Sequence, residues 1–260
     1  MKLNAFLKNF FNYRFLLGEL VVREIKLKYK RSVLGIVWSV LNPLLMMLVL
    51  RVVFSQLFRL DIPNFVVYYL TGSLIFSFMQ EATAGSLYSI FGNAGLINKV
   101  YIPKYVFPIA KTASAFVNFL FSLIALAFVA AFTGVKLSWA MLASAPLFVL
   151  LFVFVLGLAL IFATYTVFFR DIIHMHGILM LMWMYMTPIF YPEKLLKDRA
   201  DWVLRYNPIY PFVHFFRTIV LEGRFPGFAV SLSCAGISLL SLLCGVLVFA
   251  RNQDKFVLYF

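Results

Sequence analysis

The sequence predicts an all-α integral membrane protein with six transmembrane helices, an N-terminal amphipathic helix at the membrane interface and short re-entrant helices on the outer face. Three observations carry that expectation. Of 260 residues, 63% are hydrophobic and 13% charged, with mean hydropathy +0.95, more apolar surface than a soluble domain of this length can bury. The apolar runs are unbroken over about 20 residues or more, where a membrane β-barrel would show short alternating segments. The Lys and Arg residues are shared unevenly between alternate loops, which is how a polytopic chain encodes its orientation.

Spans are expected at 34–58, 65–90, 108–133, 138–168, 174–191 and 227–250. With alternate loops assigned to opposite sides, the N-terminal segment, the 91–107 loop, the 169–173 turn and the C-terminal tail hold thirteen Lys/Arg. The other loops hold about eight, six of them in one long segment, so both termini are expected in the cytoplasm. The chain then divides into an interface helix at 1–33, a membrane domain at 34–250 and a tail at 251–260. A net charge of +13 is absorbed by orientation and by anionic headgroups, and no nucleic-acid motif accompanies it. Lys8, Arg14 and Glu19 interrupt what would be the apolar core of a signal peptide. Cys234 and Cys244 lie on different faces of one apolar run, which argues against a disulfide, a metal site or a catalytic thiol.

Taken in order, "REIKLKYKRSVLGIVWSVLNPLL" at 23–45 sets a dense cationic segment directly against the first span. At helical spacing Gly18, Val22, Ile25 and Tyr29 share one face and Glu19, Arg23, Lys26 and Lys30 another, with Glu19/Arg23 and Glu24/Lys28 as i,i+4 pairs. This is the pattern of a helix in the headgroup plane, and Gly35 permits a tight bend into the span. "FGNAGLINKVYIPKYVFPIAK" at 91–111 is longer than a reconnecting turn needs. Residues 96–100 form a short helix in this reading, Pro103 and Pro108 break continuity before the third span, and Leu96, Ile97, Val100 and Tyr101 are expected exposed, for docking a partner. "YTVFFRDIIHMHG" at 165–177 puts Arg170 and Asp171 in a cytoplasmic turn; His174 and His176, two apart, point away from each other. Residues 192–226 are too apolar for a free loop and fit two short helices dipping into the outer leaflet, separated by Asn207-Pro208 and Pro211. Aromatic residues make up 18% of the chain, and Trp183, Tyr185, Phe190 and Tyr191 cluster near the outer end of the fifth span, where planar rings suit sugar faces.

Catalytic signatures are missing. The chain has no phosphate-cradling glycine loop with its Lys, no nucleophile elbow and no zinc-protease helix, so ATP hydrolysis unaided is not expected. Arg51 and Glu81 are the main intramembrane ionisable residues, too few for an ion-coupled carrier. The energy source is expected outside this chain.

In this order "YKRSVLGIVWSVLNPL", "NAGLINKVYIPKYVFPIAK", "FFRDIIHM", "TPIFYP" and "NPIYPFVHFFRTIVLEG" resemble the ABC-2-type permease subunits of polysaccharide exporters, the O-antigen (Wzm-like), teichoic-acid and capsule transporters, over nearly the whole chain. The resemblance implies a type V exporter-like homodimer in the bacterial inner membrane. Each copy would bind a separate ABC ATPase, which carries the ATP and Mg, and move an undecaprenyl-diphosphate-linked glycan outward. It implies that Arg23, Lys26, Lys30 and Arg31 belong to an interface helix beside the lipid diphosphate. Asn93, Leu96, Ile97, Lys99 and Tyr101, with Arg170 and Asp171, would couple to the ATPase. Trp202, Asn207, Pro208 and Phe216 fall in the external gate, and Trp38, Phe76, Trp183, Tyr185 and Tyr191 are candidates for the glycan path. Family members often carry a Trp early in the second span, where this chain reads "SLIFSFMQ" with Phe76 or Phe78. A permease for a drug or another lipid shares this frame; a membrane enzyme on lipid-linked sugars would need more than Asp171 and His174 at one interface.

Overall fold

In the hydrocarbon interior a backbone must satisfy its own hydrogen bonds, and every regular element among the described residues is helical. The computed structural model describes residues 13–53, 62, 64–97, 99, 102–136 and 138–259. Tyr101, Val100 and the end of the first expected span lie outside them. Helix α1 is Arg14–Tyr29, α2 Val37–Val52, α3 Phe65–Leu87, α4 Ala94–Ile97, α5 Val106–Phe132 and α6 Ser144–Phe168. Then follow α7 Ile172–Met186, α8 Glu193–Arg199, α9 Asp201–Tyr206, α10 Tyr210–Leu221 and α11 Phe228–Asn252. Three helical stretches, Val106–Phe132, Trp139–Phe168 and Phe228–Phe256, are long and apolar enough to cross a membrane, and Val37–Leu50 and Ile172–Met186 are shorter apolar helices. Helix α3 has the length, but Tyr, Ser, Thr, Gln80 and Glu81 dilute its hydropathy.

The three long apolar stretches overlap the spans expected at 108–133, 138–168 and 227–250, while α2, α3 and α7 lie largely within the other three expected stretches without meeting that measure of length and hydropathy. At one end α1, the 91–97 segment, the last turn of α6 and the C-terminal residues share a second core around Leu20, Tyr105, Phe107, Ala163 and Phe256. At the other, Asn64 Nδ2 donates to Thr133 Oγ1 at 3.1 Å and Ser138 Oγ to the Gly223 carbonyl at 2.7 Å. Helix α3 runs through the main core, with Leu70, Ile75, Phe76 and Met79 buried against Leu147 and Phe154 of α6 and Phe212 and Phe216 of α10. The closest helix pair is α6 with α11. Backbones approach there because glycines leave room: a Cβ on Gly157 would stand 2.3 Å from the Ser241 carbonyl carbon, and one on Gly245 2.4 Å from the Gly157 oxygen.

Several local expectations are corrected. Pro108 sits in the first turn of α5, where its missing N–H costs no helical bond. Residues 91–97 form a 3-10 turn, Phe91–Asn93, followed by α4, which starts two residues earlier than expected. The 192–226 segment holds three short helices, not two, with breaks at Ala200 and Asn207-Pro208, and Pro211 lies inside the start of α10, where proline is tolerated. The C-terminal residues do not leave the bundle as a tail: Gln253–Tyr259 is a 3-10 helix, Phe256 is fully buried, and Lys104 Nζ donates to the Gln253 carbonyl at 2.6 Å. The bend between α1 and α2 does use Gly35, at φ +50°.

Candidate functional site

At the end of the bundle that holds the second core, the end expected to face inward, α1 is fastened by a polar seam. Glu24 pairs with Lys111 of α5 at 2.5 Å and with Arg23 at 3.1 Å, and Arg23 also donates to Asn93 Oδ1 of the 91–97 segment at 3.2 Å. One turn on, Lys28 pairs with Glu81 of α3 at 2.7 Å, Asn118 Nδ2 donates to the same carboxylate at 2.6 Å, and Tyr29 OH donates to Asn118 Oδ1 at 3.1 Å. Burial pushes the Glu24 carboxyl up, but the hydrogen bonds and charges of Lys111 and Arg23 outweigh it and leave the group below its ordinary range. These long-range pairs correct one expectation: Glu24 and Lys28 do not pair with each other. Leu16, Leu17, Leu20 and Val21 pack on the second core, and of the four residues expected on one face Ile25 and Tyr29 are half-buried while Gly18 and Val22 are exposed. The cause is the seam itself, which turns Glu24 and Lys28 toward partners far along the chain.

The seam leaves Lys26, Lys30 and Arg31 exposed beside Arg23. In the 91–97 segment Leu96 and Ile97 are half-buried against the second core rather than free, because four residues of helix can seat only by burying an apolar side. Tyr88, Lys99, Arg170 and Asp171 are exposed at this end. Among the described residues Lys99, Arg170 and Asp171 make no ion pair. The structure thus brings Arg23 and Asn93 into contact, and sets the 91–97 segment and the end of α6 that precedes Arg170 and Asp171 on one core.

The opposite end, expected to face outward, is organised by an ion pair that the sequence reading missed. Arg217 of α10, 4% exposed, lies over the Tyr68 ring at 3.6 Å, donates from Nη2 to the Tyr68 carbonyl at 3.3 Å and reaches Glu193 Oε1 at 3.4 Å. Gly72 makes the space, since a Cβ there would stand 2.9 Å from Arg217 Nη2. Tyr210 OH donates to Glu193 Oε2 at 2.9 Å, and His214 Nδ1 lies 3.4 Å from the same oxygen. Burial pushes the Glu193 carboxyl up, but His214, Arg217 and Tyr210 together hold it down to about 2. The cluster lines an open cavity of about 960 Å³ with Lys136, Trp139 and Glu222 at its wall. An Arg and a Glu inside an apolar segment are costly enough near a membrane to have marked the pair in advance.

Of the expected gate residues, Trp202 is exposed and Pro208 half-buried, whereas Asn207 and Phe216 are buried. Asn207 is a brace: Trp183 Nε1 donates to its Oδ1 at 2.8 Å and its Nδ2 donates to Thr187 Oγ1 at 2.9 Å, tying the end of α7 to the turn before α10. Phe216 packs edge-on against Phe148, 5.3 Å between centroids, so it belongs to the core. The aromatic residues divide likewise. Phe76 is 2% exposed in the main core, which removes it from any path wall, while Tyr185 is 62% and Trp38 39% exposed. Tyr191 OH donates to the Tyr185 carbonyl at 2.6 Å, and Phe190, stacked on Tyr69 at 5.8 Å, joins that group to α3.

The family described as ABC-2 type transporter matches residues 16–221. Two Klebsiella pneumoniae proteins named O-antigen export system permease protein RfbA are 29% identical over 222 residues and 30% identical over 220. These alignments cover 84% and 82% of this chain and 85% and 84% of the relatives. A Myxococcus xanthus protein of the same name is 29% identical over 251 residues, 96% of each chain.

Proposed function

Because the chain belongs to the ABC-2 type transporter family, we propose that it is the membrane half of an ATP-driven exporter of a cell-surface polysaccharide of the O-antigen kind. A separate ABC ATPase carries ATP and Mg and docks at the inner end, the permease works as a pair of copies, and six helices cross the bacterial inner membrane with both termini in the cytoplasm. The substrate is a glycan on a polyprenyl diphosphate, whose negative headgroup meets Arg23, Lys26, Lys30 and Arg31 at headgroup depth.

The observation that supports this reading best is the inner end itself. There α1, the 91–97 segment and the end of α6 rest on one core, yet Lys99, Arg170 and Asp171 are exposed without an ion pair among the described residues. A force applied to that surface passes into α3 and α5 through Lys28–Glu81 and Glu24–Lys111. Leu96 and Ile97 hold the segment in place, and the exposed charges meet the partner.

The test joins the purified permease with its cognate ATPase. The permease alone hydrolyses no ATP; the pair does. Reversing the charge at Lys99 and Arg170 together lowers co-purification by about tenfold, as expected for two partly desolvated contacts of about 0.7 kcal/mol each. Unchanged co-purification and unchanged export in that double variant would remove the docking assignment.

A further inference from the structure

Helix α3 is the most buried helix of the bundle, and the side it leaves accessible is polar. Ser73, Ser77, Gln80 and Glu81 recur at helical spacing along one stripe, while Phe76, Phe78, Met79 and Ala82 between them are buried. Ser77 sits near the middle of this 23-residue helix, about 15–18 Å from either end. A polar stripe at that depth does not suit hydrocarbon, which offers no hydrogen bonds.

Ser73, Ser77 and Glu81 of the stripe form one wall of an open cavity of about 300 Å³ between the end of α1, α2, α3 and α5. Asn42 and Ser39 of α2, and Asn118 and Ser122 of α5, line it as well. Among the described residues Asn42, Ser77 and Gln80 make no hydrogen bond, so their donors and acceptors are unspent. The charges are balanced: Lys28 and Glu81 close on each other at 2.7 Å at the inner end. At the outer end Tyr69 stacks on Phe190, which lies 6.2 Å from Tyr185.

We infer that this cavity wall, from Glu81 through Ser77 and Asn42 to Tyr69, is a track that binds the hydroxyl groups of the glycan as it crosses. The inference rests on the polysaccharide reading above. A sugar chain carries hydroxyls that both donate and accept, and amide and hydroxyl side chains answer both. Neutral hydrogen bonds hold such a chain weakly enough to let it slide, where an unpaired charge would detain it. At the outer end the exposed ring of Tyr185 gives the sugar faces a surface as they leave. Track and drive also meet, since Lys28, which closes the inner end, belongs to the helix fastened to the 91–97 segment.

The experiment uses a Cys234→Ala, Cys244→Ser background in membranes of the source organism, with glycan synthesis switched on or off and a charged, water-soluble methanethiosulfonate as the probe. In Ser77→Cys the thiol reacts, and glycan synthesis slows the reaction severalfold. In Leu243→Cys, on the apolar exposed side of α11, the thiol does not react in either state. The paired variant Ser73→Leu, Ser77→Leu lowers export per inserted permease by about tenfold, two hydrogen-bonding positions having been lost, with ATPase co-purification unchanged. An unreactive thiol at Ser77→Cys, a rate indifferent to glycan, or a spontaneous disulfide between two copies overturns the track, the last assigning the stripe to a copy-to-copy contact. A wild type that exports no polysaccharide removes the function and the track together; export by the wild type with any of the other three outcomes removes the track alone.

Discussion

Replacing Glu193 with Gln keeps the shape of the side chain and removes the counter-charge of Arg217, whose own side chain is 5% exposed against 16% for Glu193. Two routes give the size of the effect. The carboxyl is held at about 2 against an ordinary 4.5, which by linkage corresponds to about 3 kcal/mol of stability at neutral pH. Stranding one member of a buried pair costs about 3–5 kcal/mol. Because the folded pKa is depressed, this contribution is complete above pH 4.5 and is lost as pH falls toward 2. The assay is thermal unfolding in lipid nanodiscs across that pH range. Glu193→Gln lowers the midpoint by about 6 °C or more near neutrality, and its difference from wild type shrinks below pH 4.5. Arg217→Met alone is also destabilising, and the double variant costs less than the two singles summed. A Glu193→Gln midpoint equal to wild type, or singles that add, would show that the pair does not brace the outer segment.

A Cβ on Gly157 has no space against the Ser241 backbone, so Gly157→Val forces α6 from α11 and costs at least about 1–3 kcal/mol; Gly236→Ala, with nothing within 4 Å, leaves the nanodisc melting curve unchanged. In a background without native cysteines, Asp198→Cys is labelled by an impermeant maleimide in intact spheroplasts and Lys99→Cys is labelled after lysis alone; the reverse pattern would invert the proposed orientation.

Hydropathy made the long elements legible. The runs that became α5, α6 and α11 are apolar enough to be placed within a few residues, and the Asn207-Pro208 break was visible as a backbone restriction. Which side of each helix faces inward was not legible, because lipid and protein core are equally apolar and leave no periodic contrast. Phe76, expected on a path, is therefore found in the core. In α1 the contrast exists, but it misled: Glu24 faces inward to Lys111, and Lys28, itself exposed, reaches Glu81, both partners more than fifty residues away. The Glu193–Arg217 pair spans 24 residues and three short helices, beyond any local pattern. The resemblance supplied the family, which residues 16–221 bear out; it did not supply the polar side of α3, which emerges only when burial separates Ser73, Ser77 and Gln80 from their apolar neighbours.

The most direct measurement is reconstitution of the permease with its cognate ATPase in proteoliposomes loaded with the lipid-linked glycan, with ATP supplied on the side of Lys99 and Arg170. The account predicts that glycan becomes accessible to an impermeant glycosidase on the opposite side, only with hydrolysable ATP and only when both subunits are present. Glycan that crosses without ATP, or ATP hydrolysis that moves no glycan in a correctly oriented complex, would contradict it.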